Sequence, residues 1–324
     1  MRGWGWLGLG MILLYGLYYY LLRQQPLRRL PKSQPVRDYA EALDRLRRLQ
    51  AAETEQINPV CRTQCLTYGH KTAKVIVLLH GFTNCPYQFY RLAAQFHERG
   101  YNVLNIRLPY HGLADRLAPD LLRLTVAEMT ELTGEVLDIA HGLGEEVTLL
   151  GFSLGGILTG WAAQQRADLA CAVLVSPAIG LQAIPAARSQ LMANLFALLP
   201  NSFRWWDPVH KDAKAEPAHA YPRFATRALA ALLQLGCIVQ NEAKQAKPAA
   251  RSILLITNPA DTVVDNQVAF AVAQQWRAHG ATVEQHEFPA DWRLIHDLMD
   301  PAQPNQQVER VYPLLLKWIT RNPI

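Results

Sequence analysis

Short apolar segments alternate with amphipathic segments along the chain from about residue 74 onward. The apolar runs are brief and rich in β-branched residues, which is typical of strands buried on both faces of a sheet. We expect such strands at residues 74–79, 101–106, 147–150, 172–175, 252–257 and 282–288. Helical spacing predicts helices at about 88–99, 126–142, 154–166, 267–279 and 307–321. This order predicts an α/β fold with a mainly parallel central sheet and helices on both faces.

One interval interrupts the alternation, at about residues 179–236. It is rich in aromatic residues and in prolines, which break regular structure. We expect a compact insertion between two strands of the sheet, and insertions at strand ends commonly form ligand pockets.

A serine flanked by glycines follows the predicted strand at 147–150 and precedes a predicted helix. Gly151-Phe152-Ser153-Leu154-Gly155 places the serine on a tight turn, where neighbouring residues must be small to avoid clashes. The turn exposes the Ser153 hydroxyl and directs the helix N-terminus at a developing negative charge. In this context the motif predicts a nucleophile, although an ordinary turn with the same spacing is the alternative.

A second loop supports this interpretation. His80-Gly81-Phe82 directly follows the strand at 74–79. There the backbone N–H of Phe82 and that of Leu154 can point to the same place and form a two-donor oxyanion hole. We expect His80 to brace this loop rather than to take part in the reaction.

A nucleophilic serine needs a base, and the base needs a group that orients it. Asp261 lies on the loop after the strand at 252–257, and His296 lies on a loop after the last strand. We therefore expect His296 as the base and Asp261 as its partner. Asp265 is expected to cap the next helix, and Asp297 to be solvated or capping. The other histidines considered have structural explanations, namely His210, His219, His279 and His286.

Residues 60–324 resemble the α/β-hydrolase superfamily, especially its carboxylesterase and monoacylglycerol-lipase-like group, which includes serine aminopeptidases of the S33 type. The resemblance is carried, in order, by His80-Gly81-Phe82, Gly151 to Gly155, Asp261 and His296. It implies Ser153 as nucleophile, His296 as base, Asp261 as its partner, and Phe82 and Leu154 as oxyanion donors. It also implies a helical cap over the site, which fits the insertion, and a structural role for Pro109-Tyr110-His111-Gly112. Family members with an aspartate nucleophile, the haloalkane dehalogenases and epoxide hydrolases, are excluded by Ser153.

The expected activity is hydrolysis of carboxylic esters through an acyl-enzyme, without a metal or cofactor. An S33-type aminopeptidase or an acyltransferase with the same triad is the alternative, and a non-catalytic binding protein is a third. The insertion is net basic, with six basic against three acidic residues at 181–236, which argues against binding of a substrate ammonium group. Phe203, Trp205 and Trp206 either line an acyl pocket or pack within the cap. No sequence feature fixes the acyl-chain length, the alcohol group or the oligomeric state.

The first part of the chain has the properties of a membrane anchor. Residues 3–22 carry no charged side chain. As a helix they would extend about 30 Å, the thickness of the hydrocarbon core of a bilayer. Trp4, Trp6 and the tyrosines at 18–20 would lie at the headgroups. A cleaved signal peptide would end in small residues, and a buried core helix rarely lacks charge over such a length. Residues 1–24 are therefore expected to form an uncleaved anchor, which makes lipophilic esters plausible substrates.

The charge of the chain is concentrated next to this segment. Residues 1–50 hold nine Lys and Arg against three Asp and Glu, whereas the remaining residues hold 23 against 24. The body thus lacks the positive surface that nucleic acid requires, and we expect no such partner. Five basic residues between 23 and 37 favour a cytoplasmic body, although such anchors also export the domain attached to them. Residues 25–59 are expected to form a basic stalk with an amphipathic helix at 38–52.

Five cysteines leave the compartment open. Cys61 and Cys65 have no matching second pair, so a zinc site is not expected. Cys171 and Cys237 are expected to be packed thiols. Cys85 lies close behind the oxyanion loop and can pair with either Cys61 or Cys65. Such a disulfide would indicate an oxidising compartment, contrary to the charge count.

Overall fold

A seven-stranded sheet forms the centre of the molecule. The structure is a computed structural model and describes Gly16 and residues 33–212 and 215–321. The described strands are β1 (Gln64–Leu66), β2 (Thr72–Leu79), β3 (Tyr101–Ile106), β4 (Gly144–Phe152), β5 (Cys171–Val175), β6 (Phe203–Trp205), β7 (Arg223–Ala225), β8 (Ser252–Thr257) and β9 (Val283–Glu287). The sheet has the order β1-β3-β2-β4-β5-β8-β9, and only β1 is antiparallel to its neighbour. The predicted parallel sheet is confirmed. Strands β6 and β7 form a separate antiparallel pair.

Helices cover both faces of this sheet. The described α-helices are α1 (Tyr39–Ala51), α2 (Tyr90–His97), α3 (Val126–Leu143), α4 (Leu154–Gln165), α5 (Ser189–Leu198), α6 (Thr226–Ala243), α7 (Asn266–Ala278) and α8 (Val308–Arg321). Alternate residues of β2 belong to different hydrophobic cores, because successive side chains of a strand point to opposite faces. Buried residues of α1, α3, α4, α6 and α7 join one core, and those of α2 and α8 join the other.

The amino-terminal part of the described chain packs against the body. Helix α1 begins after Asp38, whose side chain accepts a hydrogen bond from the Glu41 N–H, and it buries Ala42 and Leu46. A Cβ at Gly142 would lie 2.6 Å from the Cβ of Ala42, so a glycine is needed where α1 meets α3. No helix within the described residues is long and apolar enough to cross a bilayer. The anchor predicted at residues 1–24 lies outside the described residues, apart from Gly16.

The interval between β5 and β8 contains α5, the β6–β7 pair and α6. The end predicted for the insertion, near residue 236, falls inside α6, which continues to Ala243. A Cβ at Gly236 would lie 2.6 Å from the carbonyl oxygen of Ile179, so this helix runs against the chain that leaves β5. This close approach fixes α6 to the body.

Candidate active site

Ser153 occupies a strained turn between β4 and α4. Its φ of 54° and ψ of −108° place it outside the regions that residues with a side chain normally adopt. A Cβ at Gly151 would lie 1.9 Å from the carbonyl oxygen of Gly155, and one at Gly155 would lie 1.9 Å from that of Leu79. The two glycines of the motif are therefore required by direct backbone contact. The turn presents Ser153 at the carboxyl edge of the sheet.

Two hydrogen bonds join the serine, the histidine and the aspartate. His296 Nε2 lies 3.0 Å from Ser153 Oγ, and His296 Nδ1 lies 2.7 Å from Asp261 Oδ2. The Asp261 carboxyl is fully buried, and its other oxygen accepts hydrogen bonds from the backbone N–H groups of Val263 and Val264. These two contacts fix the oxygen of the carboxylate that does not face His296.

The arrangement determines which imidazole nitrogen carries the hydrogen. An ionised carboxylate can only accept, so Nδ1 of His296 donates to Asp261. Nε2 then presents a lone pair to the Ser153 hydroxyl. The imidazole is therefore oriented to take a proton from the serine.

The loop after β2 lies beside the serine turn. The Gly155 N–H donates to the carbonyl oxygen of His80 over 3.2 Å, which ties the loop to the start of α4. Among the described residues, neither the N–H of Phe82 nor that of Leu154 donates a hydrogen bond. Two free donors next to a serine hydroxyl are what an oxyanion hole requires.

His80 braces this loop. Its Nδ1 lies 2.8 Å from the carbonyl oxygen of Gly81, and its Nε2 accepts a hydrogen bond from the Leu108 N–H. Burial, and second the neighbouring His111, hold the pKa of His80 well below its usual value. His80 is thus a neutral side chain that spans two loops and does not contact the serine.

Asp297 is half-buried next to His296 and does not cap a helix; side-chain amides hold it instead. Its carboxylate accepts hydrogen bonds from the side-chain amides of Asn84, Gln88 and Gln303 at 2.8–3.1 Å. Nothing in the sequence next to His296 indicates these partners, because two of them lie on the loop after β2.

A cavity of about 800 Å³ opens at Ser153 and His296. This volume lies in the range of small-molecule sites. Apolar side chains from the interval between β5 and β8, and from the loop that bears Asp261, line much of it: Leu181, Ile184, Phe224, Leu229, Leu232 and Val263. The site therefore combines a polar reaction centre with a largely apolar chamber.

Comparison with known proteins places this chain in a family. A family model described as the alpha/beta hydrolase family matches residues 76–311. The chain belongs to the alpha/beta hydrolase family. A thermostable monoacylglycerol lipase of Bacillus sp. (strain H-257) is 29% identical over 111 residues, which are 34% of this chain and 43% of the relative. The match thus spans less than half the length of that curated relative.

Solved structures share the fold of this alpha/beta hydrolase. A structure from work on LipS and LipT, two metagenome-derived lipolytic enzymes, has a TM-score of 0.60 and 21% identity and covers 82% of this chain and all (100%) of its own. The monoacylglycerol lipase of Paleococcus ferrophilus has a TM-score of 0.58 and 17% identity and covers 79% of this chain and 97% of its own.

The three aromatic residues predicted for the pocket of this hydrolase take two different positions. Trp206 lines the cavity, and its ring lies 4.5 Å from that of Phe224. Phe203 and Trp205 are not among the lining residues and instead pack on the guanidinium of Arg223. The alternation of strand β6 explains the difference, because it puts Phe203 and Trp205 on one side and the next residue on the other.

A disulfide lies next to the loop after β2. Cys85 is bonded to Cys61, with the two Cα atoms 5.2 Å apart. Cys65, the other partner left open by the sequence, is a free thiol, and burial raises its pKa to about 11. The bond joins the chain before β1 to the loop after β2.

Proposed function

We propose that this protein hydrolyses lipophilic carboxylic esters through Ser153, His296 and Asp261. The observation that carries the proposal is a pair of hydrogen bonds at the mouth of an apolar cavity: His296 Nδ1 donates to Asp261, and the Ser153 hydroxyl donates to His296 Nε2. The family and the lipolytic names of its relatives support the same chemistry.

In the first half-reaction the Ser153 oxygen attacks the ester carbonyl carbon while His296 Nε2 takes the hydroxyl proton. Asp261 favours the imidazolium that forms, because its carboxylate faces Nδ1. The negative charge on the carbonyl oxygen is received by the N–H groups of Phe82 and Leu154, and one such donor contributes about 3–4 kcal/mol to lowering the barrier. His296 then returns the proton to the departing alcohol.

In the second half-reaction a water molecule attacks the acyl group on Ser153. His296 takes a proton from the water and returns it to the serine oxygen as the acid leaves. An alcohol or amine in place of water would transfer the acyl group instead, which is the acyltransferase alternative.

A second candidate is an aminopeptidase, and one observation favours it. Although the insertion is net basic, Asp207, Asp212 and Glu216 all line the cavity. Carboxylates in this position suit a substrate ammonium group. Arg116 lines the same region and lies near enough to Asp212 and Glu216 for their charges to interact with its own, so these two carboxylates already face a cation. Ester hydrolysis therefore remains the first candidate.

The proposal includes a membrane tether through residues 3–22, supported by their length and lack of charge. Ser33 hydrogen-bonds to Asp138 and to Asp168, which precedes β5, so this end of the described body lies at the amino edge of the sheet. Ser153 follows β4 at the carboxyl edge, about 30 Å away. The tether would attach the protein at the edge opposite the cavity. Full-length protein should stay with membranes through alkaline carbonate extraction, and its release would exclude the tether.

Two opposing arguments bear on the side of the membrane where the body lies. The basic residues at 23–37 favour the cytoplasm, which is the side we expect from charge. A Cys61–Cys85 disulfide favours an oxidising compartment. Acid quenching of intact cells, followed by alkylation of the denatured protein, gives the answer: a persistent disulfide excludes the cytoplasm, and five reactive thiols support it.

The activity is tested with nitrophenyl esters from acetyl to palmitoyl, a monoacylglycerol, and aminoacyl amides. We expect wild-type protein to cleave the esters, with a preference for longer chains because the cavity is apolar, and Ser153→Ala to be inactive. Turnover of the amides alone would support the aminopeptidase. A folded wild-type protein that cleaves neither class would refute the proposal.

A further inference from the structure

Two carboxylates of the His296 loop, those of Asp297 and Asp300, take no part in the triad. Asp300 is completely buried, whereas Asp297 is half-buried on the cavity wall and accepts hydrogen bonds from three amides. Buried carboxylates are costly unless their oxygens are satisfied. Asp300 meets this requirement through the side chains of Asn84 and His219 and the N–H of Ala302.

The side-chain amide of Gln88 links Asp297 to the oxyanion loop, and it fits in only one orientation. The Gly81 N–H donates to Gln88 Oε1 over 2.8 Å, which leaves Gln88 Nε2 as the donor to Asp297 Oδ1, also over 2.8 Å. Rotating the amide by half a turn would place two donors opposite each other at Gly81. The chain of hydrogen bonds therefore requires an acceptor at Asp297.

Asn84 forms a second link, again with its amide oxygen toward the backbone of the loop and its amide nitrogen toward the carboxylates. Its Oδ1 accepts from the Cys85 N–H, so its Nδ2 must point the other way. There it donates both to Asp297 Oδ2 at 3.1 Å and to Asp300 Oδ2 at 3.0 Å. Asp297 and Asp300, as acceptors, thus hold both ends of the loop segment from Gly81 to Cys85.

The segment between β6 and β7 joins the same network. His219 Nε2 lies 2.8 Å from Asp300 Oδ2, and the His219 ring packs edge-on against Tyr87, 4.9 Å between centroids. The carboxylates therefore link three separate parts of the site: the oxyanion loop, the His296 loop and the segment between β6 and β7.

We propose that Asp297 and Asp300 are positioning residues that hold the oxyanion donor Phe82 at the correct distance from Ser153 and His296. Phe82 follows Gly81, whose N–H is the point that the Gln88 link secures. Because the same carboxylates belong to the His296 loop, the base and the oxyanion loop are set relative to one another. The inference rests on the proposed serine chemistry and specifies how its geometry is maintained.

The pKa of Asp297 depends on burial and on two neighbouring ionisable groups, Asp300 and His296. Burial, and second the charge of Asp300, raise the pKa of Asp297 to about 6. His296 acts on it in the opposite direction. Three neutral amides stabilise the ionised form without adding a positive charge next to the catalytic imidazole.

The test uses the rate at which a fluorophosphonate labels Ser153. In this reaction the serine oxygen displaces fluoride from phosphorus and the phosphoryl oxygen occupies the oxyanion hole, so no ester turnover is needed. Full-length Asp297→Asn, Asp300→Asn and Gln88→Met are compared with Asp168→Asn, which changes a half-buried carboxylate at the opposite edge of the sheet. The maximal labelling rate and the half-saturating probe concentration are measured separately, with thermal unfolding of each variant.

We expect Asp297→Asn, Asp300→Asn and Gln88→Met to lower the maximal rate by roughly 10- to 100-fold with little change in half-saturation, because misplacement by about 1 Å carries a penalty of that size. Asp168→Asn should lose thermal stability and label at the wild-type rate. Wild-type labelling rates in Asp297→Asn and Gln88→Met would overturn the inference, as would equal slowing in Asp168→Asn. A wild-type protein that is labelled but cleaves no ester refutes the proposed substrate class alone.

Discussion

Removing the Cys61–Cys85 disulfide should destabilise the protein by a predictable amount. The bonded residues are separated by 24 positions, and closing a loop of this size in the unfolded chain corresponds to about 3 kcal/mol of stability at 25 °C. Both cysteines are fully buried, so replacing them with alanine also loses packing of the two sulfur atoms. We therefore expect Cys61→Ala combined with Cys85→Ala to lower the free energy of unfolding by at least about 3 kcal/mol.

Urea unfolding of the double variant and of oxidised wild-type protein measures this difference. Cys65→Ala is the matched control, because this thiol lies near Cys61 but is unbonded, and its replacement should change stability by about 1 kcal/mol or less. The denatured, unreduced wild-type chain should expose three thiols, those of Cys65, Cys171 and Cys237. Five thiols, or equal stabilities of the double variant and wild type, would refute the reasoning.

Three further predictions concern the triad, the serine turn and the amino edge of the sheet. Asp261→Asn should lower kcat by roughly 10⁴-fold, because an amide no longer fixes the imidazole tautomer. Asp265→Asn, at the N-cap of α7, should leave kcat unchanged. Equal effects of the two variants in ester assays would contradict the assignment of Asp261. Gly155→Ala should abolish folding, because its Cβ would lie 1.9 Å from the Leu79 carbonyl oxygen. Gly134→Ala in α3 should fold normally, because its Cβ meets nothing within 4 Å. Circular dichroism of both variants tests this difference. Burial raises the pKa of Asp168, but the His141 and Arg166 side chains outweigh it and the pKa lies well below 3.8. The stability contributed by Asp168 should therefore be complete above about pH 4 and be lost progressively as the pH falls below it. In urea unfolding, the difference between wild type and Asp168→Asn should be constant from pH 7 to about pH 4 and begin to narrow at about pH 3.

The central sheet and the serine turn could be predicted because their information is local. The strands at 101–106 and 252–257 have the predicted bounds. The glycines around Ser153 mark a turn that backbone contacts require. The order of the motifs along the chain was enough to single out Asp261 and His296, and the structure brings Asp261 and Ser153 within hydrogen-bond distance of the two His296 ring nitrogens.

The helices between β5 and β8 could not be predicted in the same way. Helix α6 is buried around most of its circumference, so it lacks the polar stripe that reveals an amphipathic helix. Strands β1, β6 and β7 have only three residues each, too few for a periodic pattern. The aromatic content of the interval indicated a pocket but not which ring faces it.

The acceptor role of Asp297 depends on contacts far apart in the chain. Its donors Asn84 and Gln88 are 213 and 209 positions away. Within the sequence, an aspartate after a histidine on a polar loop favours a solvated or capping role. Only the packing of the loop after β2 against the His296 loop reveals the network, because no local pattern encodes the meeting of two loops.

The most direct test of the account is to trap the acyl group on the enzyme. Full-length protein is mixed rapidly with a nitrophenyl ester, quenched in acid before a single turnover is complete, and examined by mass spectrometry of its peptides. The account predicts a burst of nitrophenol equal to the enzyme concentration and the acyl group on the peptide that contains Ser153. An acyl group on another residue, or undiminished turnover by Ser153→Ala, would contradict it.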